Sequence, residues 1–389
     1  MRFPPLASAV DSIEPENAYV VLARAQVLER AGRDIIHLEI GEPDFQTDTR
    51  IARAGIEAIE TGKTRYTPTP GIKPLCQAIA SDISIRCQRE VLPSEVVVGP
   101  GAKPILFLAS LAVIEPGDEV IYPDPGFPTY QSMVGIAKGK GVPIRLMERD
   151  GFAFDLDQLR DRINERTKLI VLNSPSNPTG GVLSRSDLEQ IAELARRFNC
   201  WIISDEIYSR MCFDASYAPT IAALDGMAER TVIVDGFSKT HAMTGWRLGF
   251  GVMPSRLAEK VSLLAVHAFG CTAQFTQFAG LEAITGSQDH VQQAMSEYRL
   301  RRDTLVNGLN SIDGIDCRSP AGTFYAFPNI RSFGRTSESL ANQLLEEAGV
   351  AVLPGTAFGC NGEGYLRICF ANSVENIQRA VERIKNTLI

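Results

Sequence analysis

A lysine in an unusual setting offers the most pointed chemistry in the chain. The apolar run Thr231-Val232-Ile233-Val234 is followed by Asp235-Gly236-Phe237-Ser238-Lys239-Thr240 and then Met243-Thr244-Gly245-Trp246-Arg247. A loop lysine is ordinarily a solvated charge. Lys239 sits instead among small and aromatic residues, where burial lowers the ammonium pKa and frees a nucleophilic amine. Arg247, eight residues on, is placed to meet an anion. A second apolar run, Trp201-Ile202-Ile203-Ser204, ends in Asp205, Glu206 and Tyr208. A carboxylate at the buried end of a strand is costly unless paired; Asp205 either caps a helix or meets a cationic ring nitrogen, with the Tyr208 hydroxyl at hand. After Leu169-Ile170-Val171-Leu172 comes Asn173-Ser174-Pro175-Ser176-Asn177-Pro178-Thr179-Gly180. This stretch makes turns for backbone reasons alone, and it also offers Asn177 as an amide donor held by its proline. The turn Gly99-Pro100-Gly101-Ala102-Lys103-Pro104 opens a helix and is either an ordinary tight turn or a phosphate site, which its free N–H groups and the helix dipole suit. Pro104 stands where a dinucleotide fingerprint needs its third glycine. A nicotinamide-dependent dehydrogenase would also leave Lys239, Arg247 and Arg367 unexplained.

The elements that must position these groups alternate from about residue 95 to 255. Short apolar runs (Glu95-Val98, Glu119-Tyr122, Leu169-Leu172, Trp201-Ser204, Thr231-Val234) are separated by amphipathic stretches from Ala102, near Thr129 and over Ser186-Leu194. Strands apolar on both faces imply a largely parallel sheet covered by helices on each side, an α/β core. Working loops then lie at the carboxyl ends of the strands. The last hundred residues differ: a long charged helix around Met295-Arg302, strand signals at Phe324-Phe327 and Leu366-Phe370, and an amphipathic helix from Val374. They predict a smaller α+β domain.

Composition narrows the function classes. The 389 residues are 44% hydrophobic and 22% charged, and the net charge is −7, which argues against nucleic-acid or anionic-membrane partners. The longest apolar run, Pro104 to Ile114, falls far short of the roughly 20 residues that span a bilayer. The N-terminus has no signal-peptide stretch. None of the eight cysteines forms a C-x-x-C pair, and no two of the four histidines stand at metal-ligand spacing. The expectation is a cytoplasmic enzyme without a metal.

Taken together, these signals describe one cofactor: a phosphate turn, an acid for a pyridine nitrogen, a hydroxyl and an amide for a phenolic oxygen, and a Schiff-base lysine. The chain resembles the class I, aspartate aminotransferase-like enzymes of pyridoxal-phosphate (PLP) fold type I. The resemblance runs from Gly41-Glu42-Pro43-Asp44-Phe45 to Leu366-Arg367-Ile368 and rests on Ser-Pro-x-Asn-Pro-Thr-Gly, Ser-Asp-Glu-Ile-Tyr and Ser-Lys-Thr…Met-Thr-Gly-Trp-Arg in that order. It implies a large domain, residues 45–285, built on a mostly parallel sheet of the seven-stranded type. It implies a smaller α+β domain from residues 1–44 and 286–389. It also implies that Lys239 forms the internal aldimine with pyridoxal 5′-phosphate and later moves the proton of the substrate α-carbon. Asp205 would keep the ring nitrogen protonated. Tyr208 and Asn177 would bond the phenolic oxygen, and Phe127 would stack on the ring. Gly101, Ala102 and Lys103, with Ser238 and Arg247, would hold the phosphate. Tyr66 would reach the phosphate of a neighbouring subunit, which implies a homodimer with shared active sites. Arg367, with Asn177 and the backbone at Gly41, would hold the α-carboxylate of an L-amino acid that exchanges its amino group with a 2-oxo acid.

The sequence departs from that pattern in several places. Gly236 stands where many relatives carry a serine. Ile13-Glu14-Pro15-Glu16-Asn17 and His267-Ala268-Phe269-Gly270-Cys271-Thr272 differ at stretches that, in the family, fold over the substrate and shape its side-chain pocket. No position matches an arginine for a distal carboxylate, so strict dicarboxylate specificity is not expected. Glu16 is either a solvated glutamate or the partner of a cationic substrate side chain such as a guanidinium. Because elimination and cyclisation begin from the same α-carbanion, a lyase or cyclase with His267 in its pocket is the alternative. A non-catalytic PLP-binding regulator is a further reading, though no DNA-binding module accompanies it.

Overall fold

The computed structural model describes residues 16–388, together with Pro4 and Ile13. Glu14 and Pro15 of the anticipated substrate-covering segment lie outside the described residues.

Thirteen strands are used below, numbered in chain order. They are β1 (Ile36–His37), β2 (Val96–Gly99), β3 (Glu119–Asp124), β4 (Lys140–Met147), β5 (Ala153–Phe154), β6 (Thr167–Asn173), β7 (Trp201–Asp205), β8 (Thr231–Gly236), β9 (Gly249–Val252), β10 (Tyr325–Ala326), β11 (Val350–Ala351), β12 (Leu353–Pro354) and β13 (Leu366–Cys369). The main sheet has the order β2-β9-β8-β7-β6-β3-β4-β5. Its centre is parallel: β8 on β7, β7 on β6, β6 on β3 and β3 on β4. The sheet has eight strands rather than seven, because the two-residue β5 pairs antiparallel with the edge of β4. At the other end β9 runs antiparallel between β2 and β8. Apolar periodicity does not reveal β9, since two of its four residues are glycine. A Cβ at Gly249 would come within 2.5 Å of the Gly101–Ala102 backbone, so the glycine is what lets that turn close against the sheet.

The central strands are buried on both faces, as their continuous Val/Ile/Leu runs require. On the helix Arg185–Arg197, Leu188, Ile191, Ala192 and Ala195 form the buried stripe, and Ser184 and Asp187 close a capping box at its start. One apolar core packs Val97, Ile105, Leu169 and Val234. A second packs Ile121, Ile170, Ile191 and Ile202.

The C-terminal part has its own core, with Leu305, Leu309, Leu344, Ile368 and Ile377 around Tyr298 and Phe324. Its three-stranded sheet has the order β10-β13-β12. Early chain joins it, because β1 pairs parallel with β11 through Ile36 opposite Val350. The same core takes in Tyr208, Met211 and Phe213 from beyond β7. The two parts therefore meet where β7 ends. Among the described residues no helix is long and apolar enough to cross a membrane.

Candidate active site

The parallel strands deliver their carboxyl ends to one side of the sheet, and the loops there surround a cavity of about 570 Å³. β7 contributes Asp205, β6 contributes Asn173 and the loop after β8 contributes Ser238 and Lys239. Gly41 and Arg367 close it from the C-terminal part and its N-terminal partner segment.

One end is built for an anion. The helix Ala102–Val113 begins here, with Gly101 at φ 101 as its N-cap, so the first amides of Ala102 and Lys103 have no partner within the helix. Ser238 is buried beside them. The Arg247 guanidinium lies directly on Gly101, where any Cβ would run into it. Its Nη1 donates to the Thr244 carbonyl at 2.7 Å. Arg247 holds φ 53, a left-handed conformation that costs a non-glycine residue on the order of 1 kcal/mol.

The floor carries a carboxylate with no cation. Asp205 is buried; its Oδ2 accepts from the Tyr130 hydroxyl at 2.7 Å and its Oδ1 from the Ile207 N–H at 3.3 Å. Among the described residues it forms no ion pair. Burial pushes its pKa up to about 6, against the Tyr130 and Ile207 hydrogen bonds. Such a carboxylate is stabilised by a cation entering the cavity. Phe127 lines the same space, edge-on to Tyr130 with 5.8 Å between centroids, and Lys103 Nζ lies 5.0 Å from its ring centroid.

Lys239 is enclosed. Its Nζ donates to the Gly41 carbonyl at 2.5 Å and lies 5.8 Å from the Phe324 ring centroid. Burial lowers its pKa to about 8, which leaves a useful fraction of free amine near neutral pH. The Tyr208 and Tyr325 hydroxyls meet at 2.9 Å. Burial raises both pKa values, that of Tyr325 to about 12, so both stay protonated donors.

Arg367 supplies the opposite charge. It is buried, with its guanidinium 4.4 Å from the Tyr325 ring centroid and 4.9 Å from that of Phe358. Nη1 donates to Asn177 Oδ1 at 3.1 Å and Nη2 to the Glu39 carbonyl. Among the described residues its buried Nε has no partner. A desolvated guanidinium with an unused N–H edge suits a carboxylate.

Comparison with known proteins decides what these groups belong to. The family model for aminotransferase class I and II matches residues 33–384. The aspartate aminotransferase of Pyrococcus horikoshii is 40% identical over 93% of both chains. The solved aspartate aminotransferase of Rhizobium meliloti superposes with a TM-score of 0.95 at 36% identity, over 100% of this chain and 99% of that one. An aromatic aminotransferase from P. horikoshii gives 0.89 at 38%, over 94% and 98%. The chain belongs to the class I and II aminotransferases.

This aminotransferase transfers amino groups with pyridoxal phosphate as cofactor, and the comparisons lend nothing to the lyase or cyclase alternative. The residues fit that cofactor: an unpaired helix N-terminus with Arg247 for a phosphate, an uncompensated buried carboxylate for a protonated ring nitrogen, and an enclosed amine for an aldehyde.

Two expectations need correcting. His267 is exposed near the end of the helix Ser255–Ala268 and does not line the cavity. The residues after it brace the fold instead: Cys271 Sγ accepts from the Thr67 N–H at 3.5 Å, and buried Thr272 donates to the Val98 carbonyl at 3.5 Å. Glu16 does line the cavity, but neither as a free solvated carboxylate nor as one available to a substrate guanidinium, because it pairs with Lys103 Nζ. Tyr66 stands outside the cavity and is 95% exposed.

Tyr130 and Tyr325 went unassigned in the sequence reading. Tyr130 stands three residues beyond Phe127, in the first turn of the helix Thr129–Ile136, and that proximity could have marked it. Tyr325 lay within an anticipated strand. Nothing local in the sequence indicates that its hydroxyl crosses to Tyr208.

Proposed function

We propose that this aminotransferase holds its cofactor on Lys239 and acts on the α-carbon of an L-amino acid oriented by Arg367. The observation that carries the reading is the convergence on one cavity of a half-buried lysine with, among the described residues, a buried carboxylate without a cation and a buried arginine without a carboxylate. When bound, pyridoxal phosphate supplies an aldehyde to carry the amino group and a ring to accept the electron pair of the α-carbon.

The protein residues do the rest. Gly101, Ala102, Lys103, Ser238 and Arg247 hold the phosphate. Asp205 keeps a proton on the ring nitrogen. Tyr208 and Asn177 would donate to the phenolic oxygen, and Phe127, which lines the same cavity, would pack on the ring and exclude water. Arg367 would grip the α-carboxylate, with Asn177 and the Gly41 backbone beside it, and so fix the orientation of the α-C–H bond. Lys239 Nζ, lodged against the Gly41 carbonyl in the resting protein, takes that proton and returns it.

The side-chain end of the cavity is bounded by Tyr19, Leu22 and the Glu16–Lys103 pair. Because Lys103 neutralises Glu16, that end offers no free carboxylate to a guanidinium, and aromatic, apolar or acidic side chains fit there better. The relatives named for aspartate and for aromatic substrates support that breadth. The exposed Tyr66 supports a homodimer in which it reaches a partner's phosphate site. A separate core in the C-terminal part supports division into residues 45–285 and residues 1–44 with 286–389. All eight cysteines are free, which supports a cytoplasmic setting.

Incubating the loaded protein with single L-amino acids and analysing products by mass spectrometry tests the reading. The matching 2-oxo acid should form together with pyridoxamine phosphate. Ammonia or a cyclic product in their place would refute amino transfer, and preference for arginine would refute the side-chain assignment.

A further inference from the structure

Three acidic side chains crowd the carboxyl ends of two adjacent strands. Asp205 and Glu206 are consecutive at the end of β7, and Asp235 lies near the end of β8, where Asp205 is in register with Val234. All three are buried, but only Asp205 lines the cavity. Glu206 turns away to accept from the Ser204 and Thr220 hydroxyls at 2.8 and 2.6 Å. Asp235 accepts from the Ser209 hydroxyl at 2.9 Å and the Gly236 N–H at 2.7 Å.

The cation that answers them is Arg86, on the helix Lys73–Cys87. Its Nη2 pairs with Glu206, its Nη1 with Asp235 Oδ2 at 2.8 Å, and its side chain is 2% exposed. Around it stand Asp82 and Cys87 of its own helix, Arg210, which pairs with Asp82, and the Tyr217 ring at 5.8 Å. Tyr130, Tyr208, Glu206 and Asp235 are the titratable groups that act on Asp205. A fully buried ion triad is a poor device for stability, because well-packed apolar residues of the same volume usually do as well or better. Its placement directly behind Asp205 points to another use.

We infer that Arg86 is a positioning residue: by pairing with both Glu206 and Asp235 it leaves Asp205, among the described residues, as the one buried carboxylate of the cavity lining without a cation, ready for the cationic ring nitrogen. The inference rests on the reading of Asp205 given above. Its consequence is a pair of opposite shifts. Without Arg86, two like charges press on Asp205 and make it harder to ionise. Without Glu206, one negative charge is gone and the remaining Arg86–Asp235 pair is neutral, which makes Asp205 easier to ionise.

The test measures binding of pyridoxamine phosphate, which forms no bond to Lys239, by the full-length protein stripped of cofactor, at pH values on both sides of 6. Differences between variants cancel the ligand's own titration. Arg86→Met should move the midpoint of the pH dependence up, and Glu206→Gln should move it down, each by on the order of one pH unit. Arg86→Lys, which keeps the charge, should restore most of the Arg86→Met shift. A purely structural role would weaken binding equally at every pH. Midpoints that stay in place, or shift in the same direction in both variants, overturn the inference. If Arg86→Met fails to fold, Glu206→Gln decides alone: an unmoved midpoint overturns the proposal. Asp205→Asn separates the two claims. Binding as tight as in the native protein would refute the reading of Asp205 itself, whereas weakened binding in that variant with unmoved midpoints in the others refutes only the role of Arg86.

Discussion

Replacing Asp205 with asparagine should stabilise the cofactor-free protein while weakening its hold on the cofactor. Burial lifts this carboxyl from 3.8 to about 6. That shift of about 2 units corresponds to about 3 kcal/mol. Its sign follows from proton counting. Between 3.8 and 6 the unfolded chain has released the proton and the folded protein keeps it, so stability falls as pH rises through that window and stays lowered above it. Asparagine removes the charge penalty. It can still accept from Tyr130, but its NH₂ then faces the Ile207 N–H, now 3.3 Å from Oδ1, at a cost of about 1 kcal/mol. The net expectation is a gain of about 2 kcal/mol above pH 6, shrinking towards zero or below at pH 4. Urea denaturation of stripped native and variant protein at both pH values measures it, and the loaded proteins should show the reverse order. A variant less stable than the native protein at high pH, by the same margin as at low pH, would refute the reasoning that Asp205 is held charged at a cost.

Further expectations follow from the other groups. The rate at which stripped protein captures pyridoxal phosphate should rise about tenfold per pH unit below 8 and level off above it, because only the neutral Lys239 amine attacks; stopped-flow absorbance measures this, and a flat profile would count against a buried, lowered lysine. Arg367→Lys should raise KM for the amino acid by about a hundredfold, since it exchanges a bidentate hydrogen-bonded charge for a point charge, worth about 3 kcal/mol; steady-state kinetics reads it. Gly101→Ala puts a Cβ against the Arg247 guanidinium at φ 101, so the affinity for inorganic phosphate and for the cofactor should fall together by at least tenfold; an unchanged affinity would remove Arg247 from the anion site.

The sequence revealed most where chemistry coincided with position at a strand end. Lys239, Asp205 and Asn177 each follow a continuous apolar run, and parallel topology alone carries such residues to one side of the sheet. Gly101 to Lys103 were legible only in company: such a turn is ordinarily just a turn, and it points to a phosphate once Lys239 and Arg247 stand beside it in the reading. What escaped were relations between distant residues. Glu16 and Lys103 are far apart in the chain, so their ion pair follows from how the helix Asn17–Arg30 lies over the cavity and from no local pattern. The Tyr208–Tyr325 contact likewise joins β10 to the turn after β7. His267 failed for a simpler reason. Leu257, Ala258, Val261 and Ala265 form the buried stripe of their helix, and a residue two beyond Ala265 points the other way. β9 was invisible because glycine carries no apolar signal, although its Gly249 is what makes room for the Gly101 turn.

The central claim is that Lys239 holds the cofactor. Borohydride reduction of the loaded protein, followed by proteolysis and mass spectrometry, tests it most directly: the account predicts a phosphopyridoxyl group on the peptide that contains Ser238-Lys239-Thr240, in near-stoichiometric yield. A modified lysine elsewhere, with Lys239 recovered unmodified, would contradict it.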